Sequence, residues 1–266
     1  MGKLLKLQLK ENLKILLWIW LIPLALSTGF ILLNRNVDNT LTQVGLAISI
    51  FLLFFGLGAS LIIVIYQDYQ RFFGKEAIFY QSLPVAPGAN VWSRFFSYFV
   101  SIILIVFVLF FDFWIISIAS GSISLFEVKD VFQTIVSSLR QINFVNVITI
   151  VVLYISLSIT FIHQIIFCMN FGTQKYFKSM GIFGPILMFI LVTILLQVLT
   201  FLSFYLIPES VETYFVEVSH INSSDINNVL NIQRPIFYLI SGVNILLSVI
   251  YASISTYIQN KKLSVG

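Results

Sequence analysis

The sequence predicts an all-α, polytopic membrane protein with six transmembrane helices, both termini in the cytoplasm (N-in/C-in) and an N-terminal amphipathic interfacial helix. Three observations predict it. Hydrophobic residues make up 59% of the 266 residues and charged residues only 10%, where a soluble domain carries about 25% charged residues. So little charge cannot cover a water-facing surface, and the solvent for most of this chain must be lipid. Six apolar runs come close to or exceed the roughly 20 residues that a helix needs to cross a bilayer. Lysine and arginine also fall unequally on alternate sides of those runs, as membrane insertion requires.

Taken in order, residues 2–14 space Lys3, Lys6, Lys10 and Lys14 three to four apart, with Leu4, Leu5, Leu7 and Leu9 between them. That spacing predicts a short basic helix on the cytoplasmic membrane surface. A first span follows at 15–33, mildly interrupted by Pro23. It lacks a small-x-small cleavage site and leads to further spans, so retention is expected, not removal as a signal peptide. The second span is 44–66 and the third 95–119. The polar loop between them, 67–94, is expected to hold a short amphipathic helix built from Ala77, Ile78, Phe79, Tyr80 and Leu83. Pro84 and Pro87 stop that helix, Gly88 allows a turn, and Trp92 and Arg94 anchor the third span at the inner interface. A mixed segment, 120–143, precedes the fourth span at 144–168. The fifth is 181–207, the outer segment 208–234, and the sixth span 235–258, ending at Lys261-Lys262. All of 1–266 reads as a single transmembrane domain, multi-pass in the cell membrane.

Charge orients the bundle. With the N-terminus inside, eleven cations face the cytoplasm: Lys3, Lys6, Lys10, Lys14, Arg71, Lys75, Arg94, Lys175, Lys178, Lys261 and Lys262. Four face outward: Arg35, Lys129, Arg140 and Arg234. The bias runs the same way across all loops, so the net charge of +4 reads as topology and no nucleic-acid partner is expected. One cysteine, Cys168, excludes an intrachain disulfide and a multi-cysteine metal site.

Catalytic motifs are missing. No G-x-x-x-x-G-K-[ST] occurs, so this chain has no P-loop for ATP. His163 and His220 are the two histidines, too few for an intrachain histidine-rich zinc site, and no G-x-S-x-G elbow appears. No metal, cofactor or catalytic residue is expected. Asp112 is the one acid within a span, placed near the outer interface by its distance from Arg94. His163 lies in the inner part of the fourth span, where a helix–helix hydrogen bond is the expected role.

The loop carries a resemblance. Asp68, Gly74-Lys75-Glu76, Tyr80-Gln81-Ser82-Leu83-Pro84-Val85 and Trp92-Ser93-Arg94 together resemble the loop between spans two and three of ABC-2 type transporter permeases. The basic N-terminal helix, six spans and enlarged outer segment before the last span are also similar to that family. The resemblance implies the transmembrane subunit of an ABC exporter, of the Gram-positive type that exports peptides or antimicrobials or gives immunity against them. It implies a coupling helix docked on a separate cytosolic ABC ATPase subunit, which binds the ATP and Mg that this chain does not. Lys75, Glu76, Tyr80, Gln81, Leu83 and Pro84 would form that contact, with Lys175 and Lys178 as a second, smaller one. It further implies a second permease copy, identical or not, and an amphipathic or hydrophobic cargo such as a peptide.

Two other classes fit the composition. A secondary transporter would depend on Asp112 and His163. A non-transporting membrane sensor or scaffold would have no ATPase partner.

Overall fold

The computed structural model describes residues 2–36, 40–82, 85–120, 133, 137, 142–205 and 226–263. Among them all regular structure is helical. Two compact units, Met1–Thr134 and Ile135–Gly266, divide the chain.

The first unit contains α1 (Gly2–Asn36), α2 (Thr40–Phe72), α3 (Ala77–Ser82) and α4 (Pro87–Ser120). In it α1 packs along both α2 and α4, while α2 also touches α3 and α4. The second contains α5 (Phe144–Gly172), a 3-10 turn (Lys178–Met180), α6 (Phe183–Tyr205) and α7 (Ile226–Leu263). There α5 is central and packs against both α6 and α7.

Five helices are long and apolar enough to cross a membrane, over Gly2–Asn34, Thr42–Phe72, Pro87–Ile116, Phe144–Gly172 and Gln233–Lys261. The described apolar stretch of α6, Phe183–Leu199, is shorter. The chain is thus a multi-pass helical protein by length and composition. Its helices outrun the apolar runs that announced them. α1 has 35 residues and α7 has 38, or about 52 and 57 Å at 1.5 Å per residue, against about 30 Å of hydrocarbon.

That extra length changes several expected boundaries. Residues 2–14 do not form a helix separate from the first span, because α1 runs unbroken from Gly2 through Pro23 to Asn36. The second span continues as helix to Phe72 and the next begins at Pro87, so the loop shrinks from 67–94 to 73–86. Pro87 opens α4 and does not terminate the preceding helix. At the first turn its missing N–H and fixed φ cost nothing. The outer segment 208–234 is helical from Ile226 onward, and its residues 208–225 lie outside the described residues, as does most of 121–141.

The interior of the first unit interleaves polar with apolar side chains, where a soluble core would be almost wholly apolar. On α1 the inward face repeats every four residues as Leu4, Gln8, Asn12, Leu16 and Trp20, all buried. Phe51, Phe54, Phe55, Phe107 and Phe110 are each exposed by about two thirds. Lipid accepts phenylalanine on the outside, so hydroxyls and amides turn inward where another helix can bond them. Trp20 donates its indole N–H to Ser60 Oγ at 2.8 Å, and Ser60 in turn donates to Gly56 O at 2.7 Å. Pro23 has no N–H to offer the carbonyl of Ile19. That carbonyl faces Gly56, where an added Cβ would come within 3.3 Å. Of the glycine pair Gly56 and Gly58 in this span, Gly56 makes the close approach and Gly58 meets nothing within 4 Å.

The second unit follows the same rule. Thr160 Oγ1 donates to Asn244 O at 2.8 Å, Gln259 Nε2 to Asn170 Oδ1 at 3.3 Å, and Gln164 Nε2 to Thr193 Oγ1 at 3.0 Å. His163 Nδ1 lies 2.9 Å from Ser248 Oγ on α7 and 3.0 Å from Ile159 O, a contact that joins two helices as expected. Arg234 reaches from α7 to Asn146 Oδ1 on α5 at 2.7 Å. Gly172 and Gly184 close the α5–α6 hairpin, and a Cβ on either would overlap backbone atoms of the other strand of the turn.

Candidate functional site

The chemistry of the first unit gathers where the N-terminal turns of α1 meet the end of α2, the start of α4 and the short α3. Asp68, near the end of α2, accepts two bonds from Arg94 of α4, from Nε at 2.9 Å and from Nη2 at 2.5 Å. Tyr98, one turn further along α4, donates to the same carboxylate at 3.0 Å. Arg94 is fully buried and Asp68 nearly so. The guanidinium also lies 4.9 Å from the centre of the Phe72 ring and 5.6 Å from that of Phe73. This is a bidentate, desolvated ion pair with a cation–π wall. Arg94 therefore does not anchor α4 in the headgroups. It turns inward because Asp68 stands opposite.

One turn beyond Asp68, Arg71 forms a second centre. Its Nε donates to Glu11 Oε2 at 2.8 Å and its Nη2 to Asn12 Oδ1 at 2.8 Å and Gln67 Oε1 at 3.2 Å. Asn12 passes the connection to α4 by donating to Ser97 Oγ at 3.4 Å and Ser101 Oγ at 3.3 Å. Glu11 also accepts from Tyr80 Oη at 3.0 Å. Four helices thus share one continuous polar network, and Tyr80 brings α3 into it.

The short helix has two faces. Tyr80 is buried with Leu4 and Phe72, flanked by Leu7, Phe73 and Val85, its ring 5.5 Å from that of Phe72. Burial, and then the bond to Glu11, push its phenol well above the ordinary range, so it stays protonated and donates. Ile78 is 85% exposed and Phe79 56%. Lys75 and Glu76, in the turn just before α3, are exposed too. A face of two large apolar side chains flanked by a cation and an anion is what the first unit presents at this end.

Each expected site residue can now be placed. Lys75 and Glu76 are exposed. Tyr80 is not: it was expected on the contact surface and is instead the anchor behind it, because its hydroxyl meets Glu11 and its ring meets Phe72. Gln81 lies in α3, its side chain outside the described residues, and Leu83 and Pro84 lie outside them altogether. In the second unit Lys175 is exposed beside Tyr176, which is 88% exposed. Lys178 begins the 3-10 turn, its side chain outside the described residues. Lys3, Lys6, Lys10 and Lys14 are all exposed on α1, and the last three line a shallow groove with Leu5, Leu9, Leu13 and Leu17. Among the described residues no three His, Cys, Asp or Glu side chains gather as metal ligands would.

Missed entirely were Glu11, Asn12, Asp68 paired with Arg94, and Ser97 with Ser101. One signal was present: Glu11 is the lone acid among the basic N-terminal residues. Ile78 and Phe79 were assigned to the helix but not to its outward face.

Comparison of the chain with family models, with curated proteins and with solved structures finds no match. What the fold and site define is a class: a multi-pass helical membrane protein whose first unit holds a short helix outside its long apolar ones, joined to them by the Tyr80–Glu11 hydrogen bond and by apolar packing on Leu4 and Phe72.

Proposed function

We propose that this chain is the permease subunit of an ATP-driven ABC transporter, exporting an amphipathic or hydrophobic cargo such as a peptide. In this reading six helices cross the cytoplasmic membrane with both ends inside, α6 supplying the sixth crossing. A cytosolic ATPase docks on α3, and two permease copies form the pathway. The observation that carries the reading is the two-faced α3. Ile78 and Phe79 project away from the first unit, while Tyr80 on the other face is joined through Glu11 and Arg71 to α1 and α2.

The mechanics follow from that attachment. A short apolar helix flanked by charge suits a groove on a partner. Displacing α3 pulls on Tyr80, and Glu11 and Arg71 hand the displacement to α1 and α2. Asn12 hands it on to Ser97 and Ser101 of α4. Cores and ion pairs of this kind are bistable and move as rigid pieces, so a push at α3 reorients whole helices. The chain does no covalent chemistry in this scheme.

Gentle solubilisation of a tagged chain tests it. The expected result is co-purification of a polypeptide with a P-loop ATPase sequence, reduced by Glu76→Ala together with Leu83→Ala and abolished by Ile78→Asp with Phe79→Asp. A chain that purifies without such a partner, and keeps its function with these substitutions, refutes the docking role.

A further inference from the structure

Asp112 has no part in the network described above. It is the one Lys, Arg, His, Asp or Glu in α4 beyond Arg94, 18 residues or about 27 Å further along the helix. Its side chain is turned inward and only 1% of the residue is exposed. Oδ1 meets no hydrogen-bond partner among the described residues. Eleven residues separate it from Ser101, three helical turns, so Asp112 lies on the α4 face that packs against α1.

Register fixes what stands level with it. Asn12 of α1 meets Ser97 and Ser101 of α4, and carrying that pairing along the two helices brings Asp112 level with residues 23–27. Trp20 meets Ser60, and Thr42 donates to Asn34. The same antiparallel pairing sets Ser27 level with residues 49–53 of α2. Ser27 and Ser49 are both fully buried. Each donates its proton within its own helix, Ser27 to Leu24 O at 3.0 Å and Ser49 to Leu46 O at 2.9 Å. Each therefore keeps oxygen lone pairs for another donor.

We propose that Asp112, level with Ser27 and Ser49, is a proton-binding site inside the first unit. Among the described residues an anion there meets no counter-charge. Neither 15–34 on α1 nor 40–67 on α2 contains a Lys, Arg, His, Asp or Glu, and Tyr66 and Tyr98 are the other titratable side chains on these stretches of the three helices. An unpaired carboxylate in such a setting is costly, whereas the neutral acid can donate to a hydroxyl oxygen at its level. Releasing the proton requires water to enter between α1 and α4, so proton occupancy and opening of that seam go together. This site belongs to the first unit alone and loads its proton with or without an ATPase on α3.

Dicyclohexylcarbodiimide, an apolar reagent for protonated carboxyls, tests it on the purified full-length chain in lipid vesicles. Peptide mapping is expected to find an adduct at Asp112 in mildly acid buffer. The yield should fall as pH rises, by about tenfold per unit once beyond the half-point. Exposed Glu76 serves as the control that a water-soluble carbodiimide labels instead. Asp112→Asn should remove the adduct and leave thermal unfolding close to that of the unaltered chain. If that variant does not fold, the pH series on the unaltered chain decides alone. No adduct at Asp112 at any pH, or a yield that ignores pH, overturns the proposal.

Discussion

Tyr80 donates to Glu11 at 3.0 Å across 69 residues of chain, and through this bond the shortest helix of the first unit is held to its longest. Glu11 accepts from Arg71 as well, so a single carboxylate oxygen joins α1, α2 and α3. The bond sits at the edge of the network, where Glu11 retains access to solvent: its side chain is 40% exposed. Tyr80→Phe keeps the ring on Phe72 and deletes only the donor. A hydrogen bond to a charged group contributes about 1.5–3 kcal/mol, discounted here for the exposure of Glu11 to about 1 kcal/mol. Amide exchange over 77–82 is expected to rise about fivefold, with α1 and α2 unchanged. Tyr80→Ala, which also opens the contact with Phe72 and Leu4, should release α3 altogether.

Asp68 and Arg94 should show the asymmetry of a buried pair. Arg94→Met alone strands a carboxylate next to Tyr98 and is expected to destabilise by about 3–5 kcal/mol. Asp68→Leu with Arg94→Met removes both charges and should recover most of that loss. Thermal unfolding in detergent reads both. If the double substitution is as damaging as the single one, the network needs the pair for its geometry and not for charge balance.

Packing in the second unit turns on two glycines. Gly172→Val is expected to force α5 and α6 apart, since a Cβ there would approach the Gly184 and Pro185 backbone closer than real atoms allow. Backbone cannot yield as a side-chain tip can, so the cost should be at the upper end of the 1–3 kcal/mol typical of overpacking. Gly181, which takes a left-handed conformation at φ 57°, gives a second variant. Gly181→Val is strained by its backbone conformation, while its Cβ meets nothing within 4 Å. A loss of stability in Gly172→Val that exceeds that of Gly181→Val assigns the effect to the helix contact.

Orientation can be read by thiol labelling, because Cys168 is the single cysteine and is buried. In a Cys168→Ser background, Tyr176→Cys occupies a position 88% exposed. In intact cells an impermeant maleimide is expected to label it only after the membrane is opened. Labelling from outside would reverse the topology drawn from the positive charges.

Much of this was legible in the residues, and the reasons for the rest are physical. Apolar length announced the long helices, and the breakers around Ala77–Ser82 announced α3. Helix ends were misjudged because polar residues such as Gln67 and Asn12 end an apolar run without ending a helix. The direction of Tyr80 was hidden because its helix has six residues and carries apolar side chains on both faces, so periodicity has no contrast to report. Arg94 was read from its position beside Trp92, as an interface anchor. Its partner Asp68 lies 26 residues away in sequence, and only the packing of α2 against α4 brings them together. Asp112 was placed by distance along the helix, which gives depth but not the face it occupies.

The docking of an ATPase on α3 is the central claim, and Phe79 is the position from which to test it. A photo-reactive phenylalanine analogue at position 79, activated in intact cells, is expected to yield one major crosslink. The captured peptide should come from a protein carrying the P-loop sequence, and Tyr80→Ala should abolish it by releasing the helix. Crosslinks to lipid alone, or to no ATPase when the chain is demonstrably active, would contradict the account.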